Sequence, residues 1–393
     1  MLSLLFWLSI FIVFYAYAGY PAALTALARK WPRPPQTAAI TPSVTLLIAA
    51  YNEEATIAAK LHNSLSLDYP PDKFQILVTA DGSSDRTPAI VEQFASRGVT
   101  LLYDPPRRGK MAAINRAMPH ATGDIILFSD ANNEYAPDTI REMVKPFADP
   151  EVGAASGAKH ILKGDGALGD SEGLYWKYES YIKQQETLLG SCTGVVGELF
   201  AIRRVLFQSP PDSVINDDFY MAMQLIGRGY RVIYVPTAHS SERVSLSAED
   251  EKARRSRIVA GRYQALGLLP WHKPLVVWQI ASHKLLRPLV PIAMLVALVA
   301  NVLVVLFPWR RKRTLWGLGR PFGRFFLFLQ TLFYGLALLG NSQPQQGKKE
   351  GKFSKILYLP TFLVNSNLAA LTGIYRALTK KQSTLWQRAQ RRE

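Results

Sequence analysis

The chain has 393 residues, 48% of them hydrophobic and only 19% charged, with a formal net charge of +16. That charge is split unevenly: residues 1–250 carry 22 Lys+Arg against 27 Asp+Glu, and residues 251–393 carry 24 against 3. A basic excess that flanks apolar runs argues against nucleic acid as a partner and suits an anionic membrane surface, and the single cysteine, Cys192, rules out an intramolecular disulfide.

Leu2 to Leu27 carry no charge and are rich in Leu, Ile, Val, Phe and Tyr, which is long enough to span a bilayer. No basic residues precede the run, which argues against a signal peptide. Arg29, Lys30 and Arg33 follow it and mark that end as cytoplasmic. Residues 1–28 are therefore expected to form an N-terminal transmembrane anchor.

Residues 43–264 alternate strand and helix patterns, as an α/β domain should, with ligands expected at the carboxyl ends of strands. Val44 to Ala50 reads as a buried strand and Glu53 to Leu67 as a helix. Phe74 to Ala80 reads as a strand ending at Asp81, followed by a helix over Arg86 to Arg97. Val99 to Tyr103 is the next strand, Lys110 to Met118 a helix, and Asp124 to Ser129 a strand that leads into Asp130 and Asn132. Asp217 and Asp218 stand just ahead of Phe219 to Tyr230, an apolar-rich stretch with helical spacing. An acid at a strand end suits a divalent metal, which prefers hard oxygen ligands. An acid at a helix start suits a general base, or it caps the helix. Cys192, with no obvious histidine partner, reads as a buried filler, and His239 reads as structural.

Leu268 to Arg287 mixes apolar residues, Trp271 and Trp278 with His272, Lys273, His283, Lys284 and Arg287, the pattern of an interfacial amphipathic helix over 268–287. The charge-free run Pro288 to Pro308, the shorter Phe325 to Gly340 and the weaker Ile356 to Leu371 make 288–376 a C-terminal transmembrane region, with a basic tail at 377–393. A cytoplasmic catalytic domain then leaves Arg310, Arg311, Lys312 and Arg313 outside, against the positive-inside expectation, and Lys348, Lys349, Lys352 and Lys355 inside.

Ala50-Tyr51-Asn52-Glu53-Glu54, Ala80-Asp81-Gly82-Ser83-Ser84-Asp85, Arg108-Gly109-Lys110-Met111-Ala112-Ala113-Ile114-Asn115 and Ser129-Asp130-Ala131-Asn132 occur in the order found in family 2 glycosyltransferases. With Asn216-Asp217-Asp218 downstream, the chain resembles the membrane-bound branch that includes synthases of cellulose, hyaluronan and poly-N-acetylglucosamine. The resemblance covers about Ser43 to Gln264 and implies an α/β fold of GT-A type, a Rossmann-like nucleotide-sugar-binding domain. It implies that Ala50, Tyr51 and Glu53 line the nucleoside and that Asp81 hydrogen-bonds its base; an Asx turn is the alternative for Asp81, although Asp85 is better placed for capping. Lys110 would lie near the donor diphosphate. Asp130 and Asn132 would hold Mg2+ or Mn2+, with Asn132 standing where the family carries a second aspartate. Asp218 would be the general base, Asp217 its support, and Glu198 in Gly197-Glu198-Leu199-Phe200 an acceptor contact. Arg257 would pair with the diphosphate, in a segment, Arg254-Arg255-Ser256-Arg257-Ile258, where processive members have Gln-x-x-Arg-Trp. Ile258 in place of that Trp points away from a long-chain polymerase.

The function so implied is inverting transfer of a sugar from a nucleotide-diphosphate donor, a UDP-sugar, to a lipid-linked or glycan acceptor. The protein is expected to be multi-pass in the inner or plasma membrane with its catalytic domain cytoplasmic. Two alternatives stay open: a processive polysaccharide synthase working with a partner subunit, and a non-catalytic membrane component of a polysaccharide export assembly.

Overall fold

The computed structural model describes residues 1–161, 166–242, 248–307, 314–342 and 352–379. Arg310 to Arg313, Lys348, Lys349 and residues 380–393 of the basic tail lie outside the described residues.

The apolar runs of the first half form parallel strands β1 (Val44–Ala50), β2 (Phe74–Asp81), β3 (Val99–Asp104) and β4 (Ile125–Asp130). They continue into β5 (Glu134–Tyr135), β6 (Val152–Ile161), β7 (Phe200–Arg203) and β8 (Arg231–Glu242). Among the described residues these make one mixed sheet in the order β3-β2-β1-β4-β7-β6-β8-β5, with β7 antiparallel to both neighbours. Successive residues of the central strands enter opposite cores. Leu46, Ile48, Val78 and Leu127 lie in one, and Leu47, Leu77, Ile126 and Phe128 in the other. Both faces are covered, which is why these strands read as unbroken apolar runs instead of alternating ones.

The helices are α1 (Leu2–Phe14), α2 (Tyr20–Lys30), α3 (Ile57–Leu65), α4 (Thr87–Glu92), α5 (Lys110–Ala117), α6 (Thr139–Val144) and α7 (Gly166–Leu188). They continue with α8 (Asp217–Gly227), α9 (Ala248–Gln264), α10 (Pro274–Ile280), α11 (Val290–Leu306), α12 (Phe322–Ser342) and α13 (Lys352–Leu378). The helix expected from Glu53 starts instead at Ile57. The backbone N–H of Glu53 donates to Thr87 Oγ1 at 2.7 Å and that of Glu54 to Asp85 Oδ2 at 3.1 Å, so the segment turns to meet the next loop before it coils.

Among the described residues three helical stretches are long and apolar enough to cross a membrane: Leu2–Lys30, Pro274–Leu306 and Phe322–Ser342. The first covers the residues expected to form the N-terminal anchor. The second merges the expected amphipathic helix with the run after it, through a π turn at Ala281–Leu285. His283 and Lys284, read as a basic flank for headgroups, are instead buried, because Glu179 and Glu186 of α7 meet them there. The weaker run Ile356 to Leu371 falls within α13, which lies along α9. A Cβ at Gly373 would stand 2.7 Å from the Ser256 carbonyl oxygen, and one at Gly261, on the same α9, 2.4 Å from Asn216 Cβ. Two glycines thus bring α9 into near-backbone contact with α13 and with the loop before α8.

Glu186 ties these parts together. Its carboxylate accepts from Tyr20 OH at 2.6 Å, from the N–H and hydroxyl of Thr193 at 2.7 and 2.9 Å, and faces His283 Nδ1 at 2.8 Å. One side chain joins the first span, the second span and the sheet domain. Glu186→Ala leaves those buried groups unmatched and should lower the unfolding free energy by about 3–5 kcal/mol. Glu186→Gln should cost less, because its amide oxygen still accepts. Denaturant titration of the solubilised protein measures both, and wild-type stability for the alanine variant would remove Glu186 from this role.

Candidate active site

The carboxyl ends of β1, β2 and β4 converge on one mouth. Asp81, at the end of β2, is fully buried; its Oδ1 accepts from Arg108 N at 3.0 Å and its Oδ2 from Gly109 N at 2.7 Å. Gly82 adopts φ +66°, and a Cβ there would lie 2.6 Å from Arg107 N, so the 107–109 loop rests directly on the strand end. Arg107 stacks its guanidinium 3.6 Å from the Tyr51 ring centroid. Asp85 accepts from Thr87 N, the first residue of α4, at 2.9 Å, although the N-cap position itself is Arg86. Ala50 and Glu53 are buried, and Glu53 accepts from Thr56 Oγ1 at 2.9 Å, which makes it a brace of the loop that presents Tyr51.

Lys110, the first residue of α5, occupies the centre. Its Nζ lies 2.7 Å from Asp130 Oδ1 at the end of β4 and 3.4 Å from Asp217 Oδ2 at the start of α8. Burial opposes the Lys110 charge, but Asp130 and Asp217 outweigh it and hold the ammonium protonated well above its ordinary range. Burial likewise pushes the Asp130 carboxyl up, and Lys110, Lys159 and Arg257 overcome it, so that Asp130 stays ionised below the usual carboxylate range. Arg257 of α9 thus acts electrostatically on the expected metal-side acid.

Asp218 behaves oppositely. Burial first, and the neighbouring Asp217 charge second, push it up to about 6. Its Oδ1 accepts from Phe219 N at 2.6 Å. A Cβ on Gly197 would stand 3.1 Å from Asp218 Oδ2, so the backbone at Gly197 lies directly against the carboxylate.

Asn132 Oδ1 is buried and has no hydrogen-bond donor among the described residues, while the bond to Asp130 engages only Oδ1. Two oxygen ligands with a free lone-pair face suit Mg2+ or Mn2+ when phosphate oxygens and water complete the shell. Among the described residues no group of three or more His, Cys, Asp or Glu side chains converges, so a phosphorylated ligand would have to supply much of the coordination.

Glu198 is placed differently from its expected acceptor contact. Its Oε2 accepts from Lys159 Nζ at 2.9 Å and its Oε1 from Ser240 Oγ at 3.2 Å, and Lys159 also pairs with Glu242. A buried carboxylate so engaged pins β6 to β8 and leaves the neighbouring Gly197 to face Asp218. His239 packs on His160, with ring centroids 4.1 Å apart, and is structural. Cys192 is buried beside Ala158 and Tyr234, its thiol pushed up to about 12 by burial, and is the filler expected.

Beyond Asp218 opens a cavity of ≈ 510 Å³ walled by α7, α9, α13 and the start of the second span. Ile258 lines it, as does Arg262 of α9 and Lys183 of α7. Sequence reasoning missed Lys183, Arg262 and the buried acids Glu179 and Glu186. A signal existed: Glu179, Lys183 and Glu186 are spaced by four and three, one stripe of a helix, in a segment otherwise rich in Tyr and Trp.

Residues 45–209 match the model described as glycosyl transferase family 2. A poly-beta-1,6-N-acetyl-D-glucosamine synthase of Staphylococcus aureus is 31% identical over 201 residues, 50% of this chain and 48% of that protein. A beta-monoglucosyldiacylglycerol synthase of Synechocystis is 30% identical over 237 residues, 57% of this chain and 48% of that one. The chain spans about half the length of the curated relatives it matches. Among solved structures, a mannosyltransferase from Pyrobaculum calidifontis in complex with GDP-Man and Mn2+ aligns with a TM-score of 0.70 at 24% identity, over 97% of this chain and 100% of that chain. The shared fold is the expected GT-A type.

In the role of base expected for Asp218, which requires the ionised form, a carboxyl raised to about 6 predicts turnover that rises with pH through that value and levels off above it. Asp217→Asn removes the neighbouring negative charge and should move the rising limb to lower pH. Profiles of kcat/KM for both proteins test this; a limb that stays in place in the variant would show that the Asp217 charge does not tune Asp218.

Proposed function

Residues 45–209 of this chain are a family 2 glycosyl transferase domain, and from that premise we propose that the protein is a membrane-bound inverting glycosyltransferase. It moves a sugar from a nucleotide-diphosphate donor, a UDP-sugar, to a lipid-linked or glycan acceptor. The observation that carries this reading is the bridge made by Lys110 between Asp130 and Asp217, with Asp218 next to it at the mouth of the cavity.

Each residue then has a task. Tyr51, with Ala50 and Glu53 shaping its loop, lines the nucleoside, and Asp81 keeps a lone pair on each oxygen for the base while holding the 107–109 loop. Lys110 and Arg257 face the diphosphate from two sides. Asp130 and Asn132 hold Mg2+ or Mn2+, which when bound neutralises charge on the departing diphosphate. Asp218 takes the proton from the acceptor hydroxyl as that oxygen attacks the anomeric carbon in line. The sugar–phosphate bond breaks, and its electron pair leaves with the nucleoside diphosphate. Asp217 positions Lys110 and raises the basicity of Asp218. The domain faces the cytoplasm, where Arg29, Lys30 and Arg33 follow the first span.

Ile258 stands where processive members of the family carry the Trp that stacks on the acceptor sugar, and it offers apolar contact without a ring face. The product is therefore one or a few added sugars, and sizing the labelled product tests it. High-molecular-mass polymer made by this chain alone would favour the processive alternative, and polymer that needs a second protein would favour a partner subunit.

Asp218→Asn should lower kcat by about 10²–10⁴-fold while donor affinity changes little. Turnover near wild type would remove Asp218 as the base. Chelation of divalent ions and Asp130→Ala should each weaken donor binding in equilibrium titration, and donor binding unmoved by both would exclude the metal site.

A further inference from the structure

The cavity beyond Asp218 is more cationic than a neutral acceptor requires. Lys183, Arg254, Arg255, Arg262, Lys284 and Arg287 line it, against Glu179 and Asp218. Much of this charge is already matched: Glu179 pairs with Lys284 and Arg287, and Arg255 donates to Ser366 Oγ at 3.1 Å. Arg254 is engaged as well, whereas Lys183 and Arg262 are not. Lys183 is only 3% exposed, and among the described residues its ammonium has ring contacts alone, 5.4 Å from Trp176 and 5.3 Å from Tyr234, with neither a carboxylate nor a hydrogen-bond acceptor. Arg262, half-buried, likewise has no acceptor among the described residues, although its charge reaches Asp218. A buried cation without an anion or acceptor is costly, and Lys183 points into a space able to hold one.

Arg262 does not serve the donor diphosphate. It lies five residues after Arg257 on α9, which is about 7.5 Å along the axis and about 140° around it. Arg257 acts on Asp130, so Arg262 faces another side, and it lines the cavity. Another part of the wall is apolar, from Pro288 of the second long apolar helix and Leu359, Phe362 and Leu363 of α13, beside the polar Ser366 and Asn367. An anion-binding end joined to an apolar end describes an amphiphile.

We infer that the acceptor is a lipid carrying a phosphate group, which Lys183 and Arg262 bind while its reacting oxygen is delivered to Asp218. This rests on the glycosyltransferase reading above and narrows it, because a neutral glycan or a diacylglycerol would leave both cations unmatched. Two lipids share this chemistry. In a glycerophospholipid with a free hydroxyl, the hydroxyl proton passes to Asp218 and a glycosidic bond forms as the sugar–diphosphate bond breaks. In a lipid phosphomonoester, an ionised phosphate oxygen attacks the anomeric carbon as the sugar–diphosphate bond breaks; no proton is moved, the nucleoside diphosphate leaves with the electron pair, and a glycosyl phosphate results.

The test uses the full chain in phosphatidylcholine vesicles with a panel of labelled nucleotide sugars. The vesicles carry phosphatidylinositol, phosphatidylglycerol, undecaprenyl phosphate or diacylglycerol. Label should enter a phosphate-bearing acceptor at least tenfold faster than diacylglycerol, and mild acid should release it from a glycosyl phosphate but not from a glycoside. Lys183→Met and Arg262→Gln should each raise the acceptor KM about tenfold with the donor KM within twofold. Native mass spectrometry supplies a readout without turnover, in which wild type retains the phosphate lipid and the double variant, its fold confirmed by circular dichroism, does not. Transfer to diacylglycerol or a soluble oligosaccharide at equal rate, or lipid retention unchanged in the double variant, overturns the inference. Retention without transfer from any donor would instead overturn the glycosyltransferase reading and leave the phosphate site standing.

Discussion

A single ammonium, that of Lys110, holds the two halves of the site together. Three carboxylates, Asp130, Asp217 and Asp218, come from two different elements, and without a cation among them their repulsion would splay the end of β4 from the start of α8. Lys110 lies nearest Asp130 and next nearest Asp217. The acid it helps least is Asp218, which therefore carries the burden of burial and of its neighbour's charge. The geometry separates otherwise similar groups: one acid stays ionised beside a cation, and another is pushed toward neutral pH. The division of labour follows from distances, not from residue type.

Much of this was readable in the chain because it is local. β1, β2, β3 and β4 are short apolar runs ending at Ala50, Asp81, Asp104 and Asp130, and the turn residues that follow each end carry the polar side chains of the site. Lys110 and Asp218 are placed by helix starts, which sequence signals well. What was hidden depends on partners far along the chain. Glu198 reads as an accessible acid until β6 and β8 bring Lys159 and Ser240 to it. Glu179 and Glu186 drew no reading from the sequence, because the partners that engage them, His283 and Lys284, lie on the second long apolar helix about a hundred residues later. The same encounter explains why His283 and Lys284 do not face headgroups. No local pattern distinguishes an ionisable stripe in water from one that has found its counter-ions.

Buried ion clusters are poor sources of net stability and better sources of register. Here the cluster around Glu179 and Glu186 fixes α7 against the two spans with groups that tolerate little sliding, since a shift by one helical turn would strand several charges at once. Apolar packing alone, as between α1 and α11 through Phe6, Ala297 and Val304, would allow neighbouring registers of similar energy. The polar cluster supplies the discrimination that the apolar surfaces lack.

The glycines on α9 extend this to engineering. Gly261 admits the loop that carries Asn216, and Gly373 of α13 admits the α9 backbone at Ser256. Such contacts are shape-matched pairs, not interchangeable surfaces. A chimaera that transplants this catalytic domain onto foreign membrane helices must carry α9 and α13 across as one unit. Splitting them would put a side chain at Gly373 where only a hydrogen fits, and the misfit would fall on α9 at Ser256 and Val259, close in the chain to the Gly261 that admits the loop before Asp217 and Asp218.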